Sequence, residues 1–114
     1  MLFMAKKISF PKKIVNNYLK HLDNQIKIDK ALLFGSYAWG KPTKHSDIDL
    51  VIISSDFQKQ TFWKRVDWLT NMRDGIADTV AMDIIGYTPK EFTHIEKYSA
   101  IMAKAKKDGK WIYP

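Results

Sequence analysis

Apolar residues at Ile14, Val15, Tyr18, Leu19 and Leu22 recur every three or four positions. That spacing predicts an amphipathic helix from Pro11 to about Asp23, with Pro11 in its first turn. The period then changes. Ala31-Leu32-Leu33-Phe34 is a short apolar run stopped by Gly35, which predicts a buried strand ending in a turn. Ser36 to Trp39 predicts one or two helical turns closed by Gly40, and Lys41 to Ser46, polar and proline-containing, predicts a loop. Ile48 to Ile53 is rich in β-branched residues and reads as a second strand. Phe62, Trp63, Val66, Leu69, Met72 and Ile76 return to helical spacing, so a long amphipathic helix is expected, with Phe62 and Trp63 in the core. Trp68 falls off that stripe and reads as an interface residue, while Arg65 and Arg73 read as solvated surface. A third strand follows over Val80–Ile85. Two short helices are expected over Pro89–Tyr98 and Ser99–Asp108, the second stopped by Gly109, and then a last short strand at Trp111–Tyr113. Tyr87, Tyr98 and Tyr113 read as packing residues.

This order gives an α/β (α+β) fold, a small mixed β-sheet flanked by helices. The 114 residues suit a single domain over 1–114. A chain of this size buries only about two-thirds of its unfolded surface, which favours a partner, an oligomer or a ligand as added stabiliser. Four Trp, five Tyr and six Phe supply large apolar area, enough for an interface as well as a core.

Composition narrows the chemistry. There is no cysteine, so disulfides, thiolate metal sites and cysteine catalysis are excluded, and a reducing cytoplasm suits the chain. No apolar run approaches the roughly 18 residues of a membrane span. The opening Met1-Leu2-Phe3-Met4-Ala5-Lys6-Lys7 places its apolar residues before its charges, the reverse of a signal peptide, and reads as a short arm or first turn. The net charge of +7 suits nucleotides, nucleic acid or an acidic protein partner. The lysines are dispersed except at Lys104, Lys106 and Lys107, and no nucleic-acid-binding motif stands out, so nucleic acid is not favoured.

The chemically informative positions are Gly35-Ser36, Asp47, Asp49 and Asp83. Glycine lets a backbone bend sharply and lets phosphate oxygens approach. The N–H groups of a helical turn attract an anion, and the Ser36 hydroxyl adds a donor and can cap the turn. Alone, such a pair is only a turn. Asp47 and Asp49 change that, because residues i and i+2 of a strand share a face. They head an apolar strand about 6.6 Å apart along the backbone, at two rises of about 3.3 Å. Like charges on one face repel unless a cation neutralises them, and hard divalent cations bound by carboxylates and phosphates do so. Asp83 lies inside another apolar strand, where a lone aspartate is costly unless paired or metal-bound. If the two strands are neighbours, three carboxylates converge. Otherwise Asp47 is a loop cap and Asp83 a satisfied structural residue. Lys41 and Lys44 could reach a phosphate from the intervening loop, and His45 reads as surface.

The runs Phe34-Gly35-Ser36-Tyr37-Ala38-Trp39-Gly40, Ser46-Asp47-Ile48-Asp49-Leu50 and Met82-Asp83-Ile84 resemble the DNA polymerase β-like nucleotidyltransferase superfamily, and within it the minimal nucleotidyltransferases. Trp39 stands where family members commonly carry arginine. The resemblance implies the polymerase β-like fold. It also implies two Mg2+ ions held by Asp47, Asp49 and Asp83, with ATP as substrate and its β- and γ-phosphates on Gly35 and Ser36. Asp83 would complete one ion's shell and act as general base. The resemblance further implies an antitoxin that transfers AMP to a hydroxyl, a tyrosine, of a HEPN-domain toxin. Two alternatives stay open: neutralisation of the partner by contact alone, and transfer to a small molecule such as an aminoglycoside.

Overall fold

Alternate residues of the central strands face opposite sides of the sheet and sort the core into two layers. The computed structural model describes residues 9–73 and 80–113. In chain order it contains α1 (Lys12–Asp23), β1 (Lys30–Phe34), α2 (Ser36–Trp39), β2 (Ile48–Ile53), a 3-10 turn (Ser55–Lys59), α3 (Phe62–Asn71) and β3 (Met82–Tyr87). Then come α4 (Pro89–His94), a second 3-10 turn (Ile95–Lys97), α5 (Ala100–Asp108) and β4 (Lys110–Tyr113). The strands form one sheet in the order β3-β2-β1-β4. β1 runs antiparallel to β2 and β4, whereas β2 and β3 are parallel, with α3 in the crossover that a parallel pair requires. This is the mixed sheet with flanking helices that the sequence pattern predicts.

Leu33, Leu50, Ile52 and Ile84 face one side of the sheet, where Val15, Tyr18, Leu19 and Leu22 of α1 and Leu69 of α3 cover them. Leu32, Val51 and Ile53 face the other, against Phe92 of α4 and Met102 and Ala105 of α5. Each fully buried side chain of this size contributes about 1.5–3 kcal/mol. The Tyr18 hydroxyl donates to the Leu69 carbonyl at 2.7 Å, satisfying a buried polar atom and joining α1 to α3. Local chemistry starts the helices: the Thr61, Thr88 and Ser99 side chains accept from the N–H groups of Lys64, Glu91 and Met102. Thr88 and Glu91 form a capping box with Pro89 in the first turn.

β3 is an edge strand. Ile48 N–H bonds the Ala81 carbonyl and Ser54 N–H bonds that of Tyr87, so the carbonyls of Met82, Ile84 and Gly86 point away from β2. Two arginines cover this edge. Arg65 donates to the Gly86 carbonyl at 3.3 Å, and Arg73 to those of Met82 at 3.3 Å and Val80 at 2.6 Å. Covering an edge in this way removes a template for pairing with other chains. Arg65 also donates to the Gln60 carbonyl and to both carboxylate oxygens of Glu91, at 2.6 and 3.3 Å. Neither arginine is the solvated residue expected from sequence. Helical spacing gave no sign that their long stems carry the guanidinium groups back to strand carbonyls.

Other departures have similar causes. Pro11 is the N-cap of α1 and lies just outside its first turn. β3 starts at Met82 and runs on to Tyr87, because its partner β2 starts only at Ile48 and ends at Ile53. α3 turns Leu69 and Met72 of the expected stripe to the core but adds Arg65 and Trp68 to that face, while Trp63 is 74% exposed. Tyr98, expected to pack, is 83% exposed. The opening arm and Ile76 lie outside the described residues.

Glu91→Ala should strip the counter-charge from a guanidinium whose side chain is only 5% exposed. An uncompensated buried charge costs about 3–5 kcal/mol. The expected loss falls below that range, about 1–2 kcal/mol, because Glu91 is 44% exposed and Arg65 keeps its bonds to the Gln60 and Gly86 carbonyls, and it is read as a lower urea midpoint at unchanged slope.

Candidate active site

β1 ends at Phe34 and the chain turns at Gly35, whose φ of 76° lies in the left-handed region that glycine adopts freely. A Cβ at Gly35 would stand 2.0 Å from Asp49 Oδ2. The Asp49 carboxylate therefore rests directly on the Gly35 backbone. The antiparallel register that pairs Phe34 with Asp49 brings this about. The single turn of α2 follows, with Ala38 and Trp39 N–H groups bonded to the Gly35 carbonyl at 2.9 and 3.1 Å. Gly35 is its N-cap, and no side chain caps it. The capping role expected of Ser36 is thus not seen, because Ser36 occupies the first helical position instead.

Parallel pairing sets Asp83 of β3 directly beside Asp49 of β2, and paired residues point to the same face. Asp47 lies just before β2, at the end of a loop fixed by Thr43 and Ser46: Thr43 N–H donates to Ser46 Oγ at 2.8 Å and Ser46 N–H to the Thr43 carbonyl at 3.0 Å. Burial, the charges of Asp83 and Asp47, and a hydrogen bond to Asp83 push the Asp49 carboxyl from 3.8 up to about 6. Asp47 and Asp83 are themselves exposed. The fold thus gathers Gly35, Ser36, Asp47, Asp49 and Asp83 at one end of the sheet.

Among the described residues no three His, Cys, Asp or Glu side chains form a ready cation cage. Carboxylates that repel one another favour such a spread. The donor set still fits magnesium. It is all oxygen, and its central carboxylate resists ionisation because it is partly buried beside Asp83 and Asp47. Magnesium commonly takes one or two carboxylates and completes its shell with water and substrate phosphate.

Lys41, Lys44 and His45 are exposed. Lys44 and His45 border a cleft of about 330 Å3 with Tyr37, Ser46, Val80 and Ala81, next in sequence to Asp47 and to β3. Trp39 packs against Phe34, ring centres 6.5 Å apart, and holds the Lys104 ammonium 5.0 Å over its indole. Lys104 also lies 3.4 Å from Asp108. Sequence reasoning saw Lys104 only as part of a terminal lysine cluster; that α5 meets α2 is a tertiary fact.

Burial and the neighbouring carboxylates hold the Asp49 carboxyl above its ordinary range. The folded protein favours the protonated carboxyl, so this stabilisation is complete below about pH 4 and is lost as pH rises through about 6. A shift of about two units is worth about 3 kcal/mol unscreened, and exposure to solvent cuts this to about 1 kcal/mol. Asp49→Asn should therefore gain stability over the parent chain between pH 4 and 7 without added metal, read by thermal melts across that window.

A family model described as polymerase beta, nucleotidyltransferase matches residues 15–113. A Methanocaldococcus jannaschii protein provisionally assigned as a protein adenylyltransferase is 40% identical over 47 residues. That match takes in 41% of this chain and 47% of the relative, about half its length. Among solved structures, a provisionally assigned nucleotidyltransferase from Sulfolobus solfataricus superimposes with a TM-score of 0.62 at 17% identity, covering 87% of this chain and 76% of that one. A toxin-antitoxin crystallised with AMP-PNP gives 0.52 at 21% identity, covering 90% and 72%. At these identities the two structures speak for the fold, and no helix among the described residues is long and apolar enough to cross a membrane. With nearly the whole length matched, the chain belongs to the polymerase beta nucleotidyltransferase family.

Proposed function

We propose that the chain is a Mg2+-dependent nucleotidyltransferase that moves AMP from ATP to a hydroxyl, a tyrosine, of a partner protein, and that it acts as the antitoxin to a HEPN-domain toxin in the cytoplasm. The observation that carries this reading is the contact between Asp49 and the Gly35 turn, with Asp83 alongside on the next strand. A triphosphate lying on Gly35 and Ser36 meets the carboxylates at once. Asp47, Asp49 and Asp83 would hold two ions, which neutralise the triphosphate and stabilise charge in an in-line displacement when bound. Asp83, exposed at the β3 edge of the set, accepts the proton of the acceptor hydroxyl. The hydroxyl oxygen then bonds to the α-phosphorus, and pyrophosphate leaves.

The adenylyltransferase assignment of the archaeal relative and the nucleotide analogue in the toxin-antitoxin structure support adenylyl transfer and a toxin partner. A second reading, neutralisation by contact alone, draws on the exposed Trp63 and Tyr98. Asp47→Asn with Asp49→Asn separates the two: under the contact reading the doubly substituted chain still protects against the partner toxin.

Incubation with ATP, Mg2+ and the partner should add one or more AMP masses to the partner. Asp49→Asn or Asp83→Asn should lower the rate by about 10²–10⁴-fold, the range for loss of a charged or proton-transferring group. No transfer with any NTP would refute the catalytic reading. Gly35→Ala should also abolish transfer, because its Cβ displaces the Asp49 carboxylate and its backbone is strained.

A further inference from the structure

The face of the sheet that carries Asp49 and Asp83 does not end at the carboxylates. Tyr87 has the same parity as Asp83 on β3 and so points to the same side, four residues further on. At about 3.3 Å per residue that is about 13 Å. There β3, α3, α4 and the 3-10 turn after it enclose an open groove of about 610 Å3. Its walls are Phe62, Tyr87, Ile95 and Tyr98, and Lys90 and Lys97 stand at its rim.

Three features mark it as a docking surface. Its aromatic character extends outward: the Phe62 ring is 5.8 Å from Tyr87 and 5.1 Å from the exposed Trp63. Exposed aromatic area next to a polar rim is what interfaces use. Its charge is one-sided, since Arg65 is already paired with Glu91 while Lys90 and Lys97 are exposed, on a chain of net charge +7. It also lies next to a path to the candidate active site: two residues after Tyr98 α5 begins, its exposed Ile101 and Lys104 stand one turn apart, and Lys104 lies over Trp39 beside the Gly35 turn.

We propose that this groove seats an acidic segment of the acceptor protein, anchored by one apolar or aromatic side chain. The anchor enters between Phe62, Tyr87, Ile95 and Tyr98, and flanking carboxylates pair with Lys90 and Lys97. An extended segment so held reaches Asp83 about four residues from its anchor, at the acceptor hydroxyl. The inference rests on the proposed protein nucleotidyl transfer and adds the chemistry by which the acceptor is chosen.

The test is fluorescence polarisation on the full chain without nucleotide. The probe is a labelled peptide with one Phe among glutamates and a Tyr four positions away. Saturable binding is expected, weaker by about tenfold with Ser in place of the Phe, and weaker by about tenfold or more in the Lys90→Glu, Lys97→Glu double variant, since two attractive pairs become repulsive. Circular dichroism checks that this surface variant is folded. Equal binding by both proteins overturns the proposal. So does competitive displacement of the peptide by adenosine, which would make the groove a nucleobase seat. Concentration-dependent self-association abolished by the double variant overturns it too, in favour of a second copy of this chain. Asp47→Asn with Asp49→Asn should leave peptide binding intact. Charge-dependent binding without transfer from any NTP therefore defeats the catalytic reading alone, whereas transfer without such binding defeats only the docking groove.

Discussion

Like charges set side by side in a sheet repel, and the parallel register that faces Asp49 with Asp83 imposes that repulsion on this fold. Burial works in the same direction, and a third carboxylate, Asp47, adds to the charge around Asp49. The carboxylates are brought together at a cost to the folded state. Gly35 sharpens the constraint, because any side chain at that position would occupy the volume of the Asp49 carboxylate.

The rest of the structure holds this end of the sheet in place. The apolar middle of β2, buried on both faces, fixes the register, since a one-residue slip would send Asp49 into the α1–α3 core. β3 is held to β2 by the parallel ladder, and on its open edge Arg65 and Arg73 occupy outward carbonyls. Those arginines join α3, α4 and β3 into one support beneath Asp83 and Tyr87. The long cationic side chains thus do structural work at the strand edge, while the exposed lysines Lys90 and Lys97 remain for recognition.

Trp39 shows how local change is absorbed. At the end of the turn that begins at Gly35 an indole packs on Phe34 and receives a lysine from the far end of the chain. A cation still stands beside the turn, delivered by α5 rather than by the turn itself, and cation–π contact at an exposed site holds it weakly enough to adjust to a ligand.

Much was legible in the linear pattern. The β-branched run from Ile48, the short apolar run stopped by Gly35 and the Gly109 stop of α5 are local signals, and the elements formed where those signals stood. Asp49 and Asp83 stood out as well, because aspartates are out of place in apolar strands, and the structure sets them side by side next to Gly35. Three things were not legible. The parallel register that pairs Asp49 with Asp83 depends on strands more than thirty residues apart in sequence. The burial of Arg65 on α3 gave no signal because an arginine counts as polar in any periodicity, yet its stem packs and its head finds carbonyls and Glu91. The meeting of α5 with α2 joins segments with no local relation. Short-range spacing determines which elements form and which side chains are chemically out of place; which of those side chains touch is decided only when the sheet closes its register and the helices take up the two faces.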